Sequence, residues 1–157
     1  MKVIKDHKID NIDWEISEQA NTEGNVIFPY HVYAENKEVL RSRSGKTGVL
    51  LNGDTAVEAI TDDLDQLDII ALEFPVYVDG RCFSHASLLR GAYNYQGDLL
   101  AVGDILRDQV AQMERCGINL IKLTEHRNAE DALKAFTELS TPYQSSEDQQ
   151  KIISELR

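Results

Sequence analysis

From residue 48 onward, apolar runs alternate with segments whose apolar side chains recur every three or four positions. Residues 48–51 are apolar, 54–67 carry helical spacing, and 68–74 form a nearly continuous apolar run broken only by Glu73 near its end. A parallel strand covered on both sides is apolar on both faces, so 48–51 and 68–74 predict buried strands flanking a helix. Pro75 helps stop the second. Phe83, Ala86, Leu89 and Tyr93 predict an amphipathic helix over 83–93 with Ser84 as its N-cap. Residues 99–103 repeat the buried-strand pattern. Asp104 is placed to cap a helix over 105–116, and Gly117 supplies the left-handed residue that ends it. A last strand is predicted over 118–123 and a last core helix over 129–139.

The first 45 residues follow a different rhythm. Short apolar stretches at 9–16 and 26–33 read as strands separated by the polar segment 17–25, and Pro29 confines the second to an edge or bulge at the sheet margin. The polar, glycine-bearing segment 42–48 marks a turn. Strands alternating with helices of about a dozen residues imply right-handed crossovers. The expected fold is therefore α/β: a mostly parallel sheet of about four βα units, as an open sandwich or half-barrel-like, with a short N-terminal β segment. Residues 1–157 are read as a single domain, with 1–45 packing on it and 140–157 as a polar tail able to form a short terminal helix. A sheet of this kind leaves edges, which the N-terminal strands or a twofold homodimer would cover.

Composition narrows the function classes. An apolar share of 42% with 27% charged residues is that of an ordinary globular protein, and 157 residues suffice for a core without disulfides or metal. The formal charge of −11 opposes a sequence-independent grip on nucleic acid. No apolar run approaches the roughly 20 residues of a membrane helix, and residues 1–6 are too polar for a signal peptide, so the expectation is a cytoplasmic protein without membrane or nucleic-acid partners. Cys82 and Cys116 lie far apart, which leaves an iron–sulfur cluster or four-ligand zinc site unsupported and both thiols reduced.

In parallel βα folds ligands gather beyond the carboxyl ends of strands, which selects the loops 73–84, 103–107 and 124–127. Arg81 beside a helix start suits a small oxyanion, with Asp79, Ser84, Asp104 and Arg107 at the same edge. Asp79-Gly80 is also an ordinary turn, Arg81 can equally pair with Asp79 or Asp104, and Asp104 is better read as a cap than as a base. His126 has no paired nucleophile. Cys82, next to Arg81 and ahead of a helix, is the better reactive thiol, whereas Cys116 near a helix C-terminus reads as buried and structural. Gly45-Lys46-Thr47 resembles the end of a phosphate-binding loop, but Leu40 stands where its first glycine belongs and a strand follows. No G-x-G-x-x-G is present.

The segment from Phe74 to Ser84, including Asp79-Gly80-Arg81, then Leu88-Leu89-Arg90, residues 97–109 and Arg115-Cys116-Gly117, resembles a bacterial family of unknown function encoded beside assimilatory sulfite reductase genes. Its members are described as oxidoreductases involved in sulfite reduction. Weaker similarity extends to Asp13-Trp14, residues 24–29 and Tyr143-Gln144. Two departures stand out: the family has glycine where this chain has Cys82, and a basic tail where this chain ends acidic. The resemblance implies a role in sulfur assimilation, with the reductase or a small sulfur oxyanion as partner, and brings no mechanism or cofactor. Nothing in the chain ligates siroheme or an iron–sulfur cluster, and redox chemistry would need a flavin or nicotinamide held without its familiar motifs. An accessory binding protein is therefore the expected role, and a small oxidoreductase with its site on the same loops is the alternative.

Overall fold

A computed structural model describes residues 1–74, 80–105 and 107–122. Eight strands form one sheet: β1 (Lys2–Lys5), β2 (Lys8–Asn11), β3 (Glu15–Ile16), β4 (Val26–Pro29), β5 (Thr47–Leu51), β6 (Ile69–Phe74), β7 (Asp98–Gly103) and β8 (Leu120–Lys122), in the order β2-β1-β8-β7-β6-β5-β4-β3. β3 to β8 run parallel, and β1 is antiparallel to both β8 and β2. The sheet is mostly parallel and curls as a half-barrel, which decides between the two architectures that periodicity left open. The four strands predicted from apolar runs are β5 to β8, adjacent and parallel.

Alternation along these strands builds two apolar layers. Val26, Phe28, Val49, Leu51, Ile70, Leu72, Phe74, Leu99 and Ala101 face the helices, while Val3, Ile27, Ile69, Ala71, Leu100, Val102 and Leu120 fill the opposite face with Trp14 and Ile16 packed against them. Every strand residue from Ile69 to Leu72 is fully buried, as a strand covered on both faces requires.

The connecting helices depart from expectation in type and start. The segment predicted as a helix over 54–67 is a long 3₁₀ helix, Val57–Gln66. Its buried residues are Val57, Ile60 and Asp63, a spacing of three that matches the 3₁₀ turn, where residues i and i+3 eclipse. The helix predicted over 83–93 begins earlier, as α3 (Arg81–Ser87), and widens into a π turn over Leu88–Ala92 closed by the Tyr93 N–H to Leu88 O at 3.1 Å. Ser84 is thus inside the helix and caps nothing. The helix predicted over 105–116 is shorter, α4 (Val110–Arg115), after a single 3₁₀ turn Arg107–Gln109. The Asp104 backbone N–H donates to Phe74 O at 2.8 Å, tying the end of β7 to β6. Gly117 does adopt the left-handed conformation, φ +98°, and Ile118 N–H returns to Met113 O at 3.0 Å.

At the N-terminal side, 9–16 divides into β2 and β3, and 26–33 divides into β4 and the helix α1 (Tyr30–Glu35), followed by α2 (Lys37–Arg41). Pro29 closes β4, one strand in from the edge that β3 forms. The predicted helix 129–139, the loop 124–127 and the tail 140–157 lie outside the described residues. Among the described residues no helix is long and apolar enough to cross a membrane.

Candidate functional site

The carboxyl ends of β5, β6 and β7 lie side by side, with Leu51 paired to Leu72 and Phe74 paired to Gly103. The loop after β5 is organised by Asn52, whose Oδ1 accepts from the N–H of Asp54 at 3.0 Å, the N–H of Thr55 at 2.9 Å and the Thr55 hydroxyl at 2.9 Å. This turn presents Asp54 to solvent. Arg81, the first residue of α3, reaches across and donates from Nη1 to Asp54 Oδ1 at 2.5 Å, with side chains 52% and 78% exposed. Its guanidinium lies so close over Gly53 that a Cβ there would sit 2.5 Å from Nε, which fixes the approach direction. The pair joins the loop after β5 to the start of α3, and an anion at the rim would compete with Asp54 for the same fork of N–H donors.

The other predicted residues are placed as follows. Ser84, on the second turn of α3, lines an open groove with Ser87, Leu88, Gly91, Gln112 and Cys116, between α3 with its π turn and α4. Asp104 is exposed at the end of β7 and Arg107 opens the 3₁₀ turn before α4. Asp79 and His126 lie outside the described residues. Arg81 pairs with Asp54, 27 positions upstream, a partner that sequence reasoning did not offer because only the side-by-side packing of β5 and β6 brings it near.

Cys82 corrects the reading of a reactive thiol. It is 1% exposed, its Sγ lies 3.2 Å from Glu73 O, and it packs into the helix-side core. A thiol this enclosed is out of reach of a reactant arriving from solvent. Cys116, expected to be buried, is half-buried at the edge of the same core. A residue that sequence reasoning missed is His85, one turn after Arg81: its Nε2 is buried without a hydrogen-bond partner. Its spacing of four from Arg81 was the available signal.

Two cavities open at the amino ends of the strands. One, of about 380 Å³, lies among Ile4, His7, Arg90, Tyr95, Glu114 and Asn119. The other, of about 240 Å³, is lined by Tyr33, Arg41, Arg43, Lys46, Gln66 and Asp68 among others. Their arginines are occupied by the fold. Arg90 donates to the carbonyls of Gly117 (2.9 Å), Tyr95 (2.8 Å) and Gly97 (2.7 Å) and to Asn119 Oδ1 (3.2 Å). Arg43 donates to the carbonyls of Lys46, Thr22 and Gly24, each at 2.7 Å, and lies over the Phe28 ring. Arg41 binds Asp63 and Gln66. These groups close loops, and the resemblance of Gly45-Lys46-Thr47 to a phosphate-binding loop is superficial, because Arg43 draws this loop onto residues 22–24.

No group of three or more His, Cys, Asp or Glu side chains among the described residues is arranged to hold a metal ion. Residues 48–153, about two thirds of the chain, match the family described as a bacterial protein of unknown function (DUF934). The match begins in β5 and so leaves out β1 to β4. No curated protein matches the chain.

Proposed function

The chain belongs to this bacterial family of unknown function, and from that premise we propose that it serves assimilatory sulfite reduction as an accessory protein. In this reading the rim at the carboxyl ends of β5, β6 and β7 holds a small sulfur oxyanion, or a surface of the reductase that presents one. Asp79, Arg81, Ser84, Asp104 and Arg107 are its candidate residues. The observation that carries the reading is the Arg81–Asp54 pair. It is a guanidinium more than half exposed that lies close over Gly53 and is matched to a carboxylate that itself faces water. Such a pair contributes only about 0–1 kcal/mol to stability, so it can be exchanged for a ligand at small cost. The link to sulfite reduction rests on the resemblance of the segments around Asp79-Gly80-Arg81 and residues 97–109. The alternative, a small oxidoreductase using the same rim, would reveal itself by a flavin absorption band in protein purified from its host.

Calorimetric titration with sulfite tests the proposal. Arg81→Ala is expected to abolish binding with little change in melting temperature, and Asp54→Asn to strengthen binding by removing a carboxylate that competes with the anion. Absence of wild-type binding at millimolar sulfite would reject the oxyanion site.

A further inference from the structure

Among the described residues, β2 is the end strand of the sheet, and the outward backbone groups of the β1–β2 hairpin meet no further strand. The Met1 amine donates to Ile12 O at 3.1 Å and the Ile12 N–H donates to Met1 O at 2.9 Å, so these two residues form a mutually bonded antiparallel pair. Antiparallel ladders alternate bonded with non-bonded pairs. With the register Lys2↔Asn11, Val3↔Asp10, Ile4↔Ile9 and Lys5↔Lys8, the bonded pairs are therefore Val3–Asp10 and Lys5–Lys8. Ile9 and Asn11 consequently direct their N–H and C=O groups away from β1, toward the edge. The Asn11 N–H is taken by Asp10 Oδ1 at 2.8 Å, which leaves Ile9 as the position where both N–H and C=O lack a partner among the described residues. All four residues of β2 are exposed, and Ile9 is one of three large apolar side chains exposed among the described residues.

We propose that β2 is a self-pairing edge, at which a second copy of this chain adds its own β2 antiparallel about a twofold axis through Ile9. The sequence Lys8-Ile9-Asp10 is self-complementary in that register. Ile9 faces Ile9 of the other copy as a bonded pair, using the two open backbone groups of each. Lys8 faces Asp10 of the other copy twice, as non-bonded pairs, where opposed side chains approach most closely. Within its own hairpin Lys8 is opposite Lys5, a like-charge pairing that the second copy's Asp10 relieves. Asp10 in turn exchanges the Asn11 N–H for an ammonium. A four-residue strand pair buries far less than the roughly 1,200 Å² of a stable interface, so this dimer is weak and exchanges quickly.

Analytical ultracentrifugation of the full chain from micromolar to millimolar concentration, at physiological ionic strength, tests the pairing. Wild type is expected to pass from monomer to dimer. Ile9→Pro removes an N–H that β1 does not use, so it should abolish the dimer while the circular-dichroism melt is retained. Lys8→Asp alone and Asp10→Lys alone should each weaken the dimer by placing like charges opposite each other. The double variant Lys8→Asp with Asp10→Lys should restore it, a rescue that a merely unfolded hairpin would not give. A wild type that stays monomeric throughout overturns the proposal, as does a dimer indifferent to all four variants.

Discussion

Asp63 is 3% exposed inside the 3₁₀ helix Val57–Gln66, where an isolated carboxylate would be costly. Burial pushes its carboxyl up, but Lys37 at 2.9 Å, Arg41 at 3.1 Å and the Tyr33 hydroxyl outweigh that and hold it below the ordinary carboxylate range. Tyr33 is pushed up to about 12, by burial first and by the Asp63 charge second. A depressed folded-state value contributes stability that is complete above the unfolded carboxylate value of about 4 and is lost as pH falls through the folded value. Asp63→Asn should therefore be less stable than wild type at neutral pH, with the difference narrowing in urea titrations repeated at progressively lower pH. Arg90 is the second residue on which the interior depends, since its guanidinium replaces missing backbone partners for Gly117, Tyr95 and Gly97. Arg90→Lys offers one compact ammonium for a planar fork and should cost about 2–4 kcal/mol in urea denaturation, nearly as much as Arg90→Met. Neither role was legible in the sequence. Asp63 lies 26 positions beyond Lys37 and reads as one acid in an acidic helix, and Arg90 gathers carbonyls from two separate loops that only the folded sheet brings together.

At the scale of elements, strands were legible and helices only partly so. An apolar run such as Ile69-Ile70-Ala71-Leu72 excludes nearly everything except a strand covered on both faces, and β5 to β8 follow that signal to within two or three residues. Spacings of three and four do not distinguish 3₁₀, α and π turns, and packing against the sheet decides among them. The strand β1 was missed because its two buried residues, Val3 and Ile4, are flanked by lysines and are too few to show a period. Gly103 illustrates a constraint that sequence reasoning located only as the end of a strand. Its φ is +109°, and a Cβ there would lie 2.3 Å from Phe74 O and 2.8 Å from Phe74 C, both backbone atoms that cannot rotate aside. Gly103→Ala combines an unfavourable dihedral with this clash, so its cost should exceed the roughly 1 kcal/mol of an ordinary loop glycine replacement. A lowered melting temperature together with altered binding at the adjacent rim is expected; an unchanged melt would show that β6 and β7 can part without penalty.

Across the whole molecule, the order of the strands differs from their order of stability. β6 and β7 sit in the middle of the sheet, share six register pairs and carry apolar residues of both layers. β1 is held to the sheet by three pairs with β8, and among the described strands β2 pairs with β1 only, with all four of its residues exposed; the turn between them is also tied to α4 by the His7–Glu114 contact at 2.6 Å. Burial on both faces and flanking strands on both edges make the opening of β6 or β7 equivalent to losing both layers at once. Opening the β1–β2 hairpin exposes chiefly Val3 and Ile4. Local opening free energies follow such differences in buried contact, from near zero at frayed margins to the full unfolding free energy at the centre. Native-state hydrogen exchange should therefore show the backbone amides of β2 exchanging first, β1 next, and those of Ile70, Ala71, Leu72, Leu100 and Ala101 last, at rates set by global unfolding. Raising the denaturant concentration should leave the β2 rates nearly constant, because little surface is uncovered there, while the β6 and β7 rates climb with the slope of complete unfolding. If β2 amides instead exchanged only with global unfolding in dilute protein, the hairpin would belong to the same cooperative unit as the central strands.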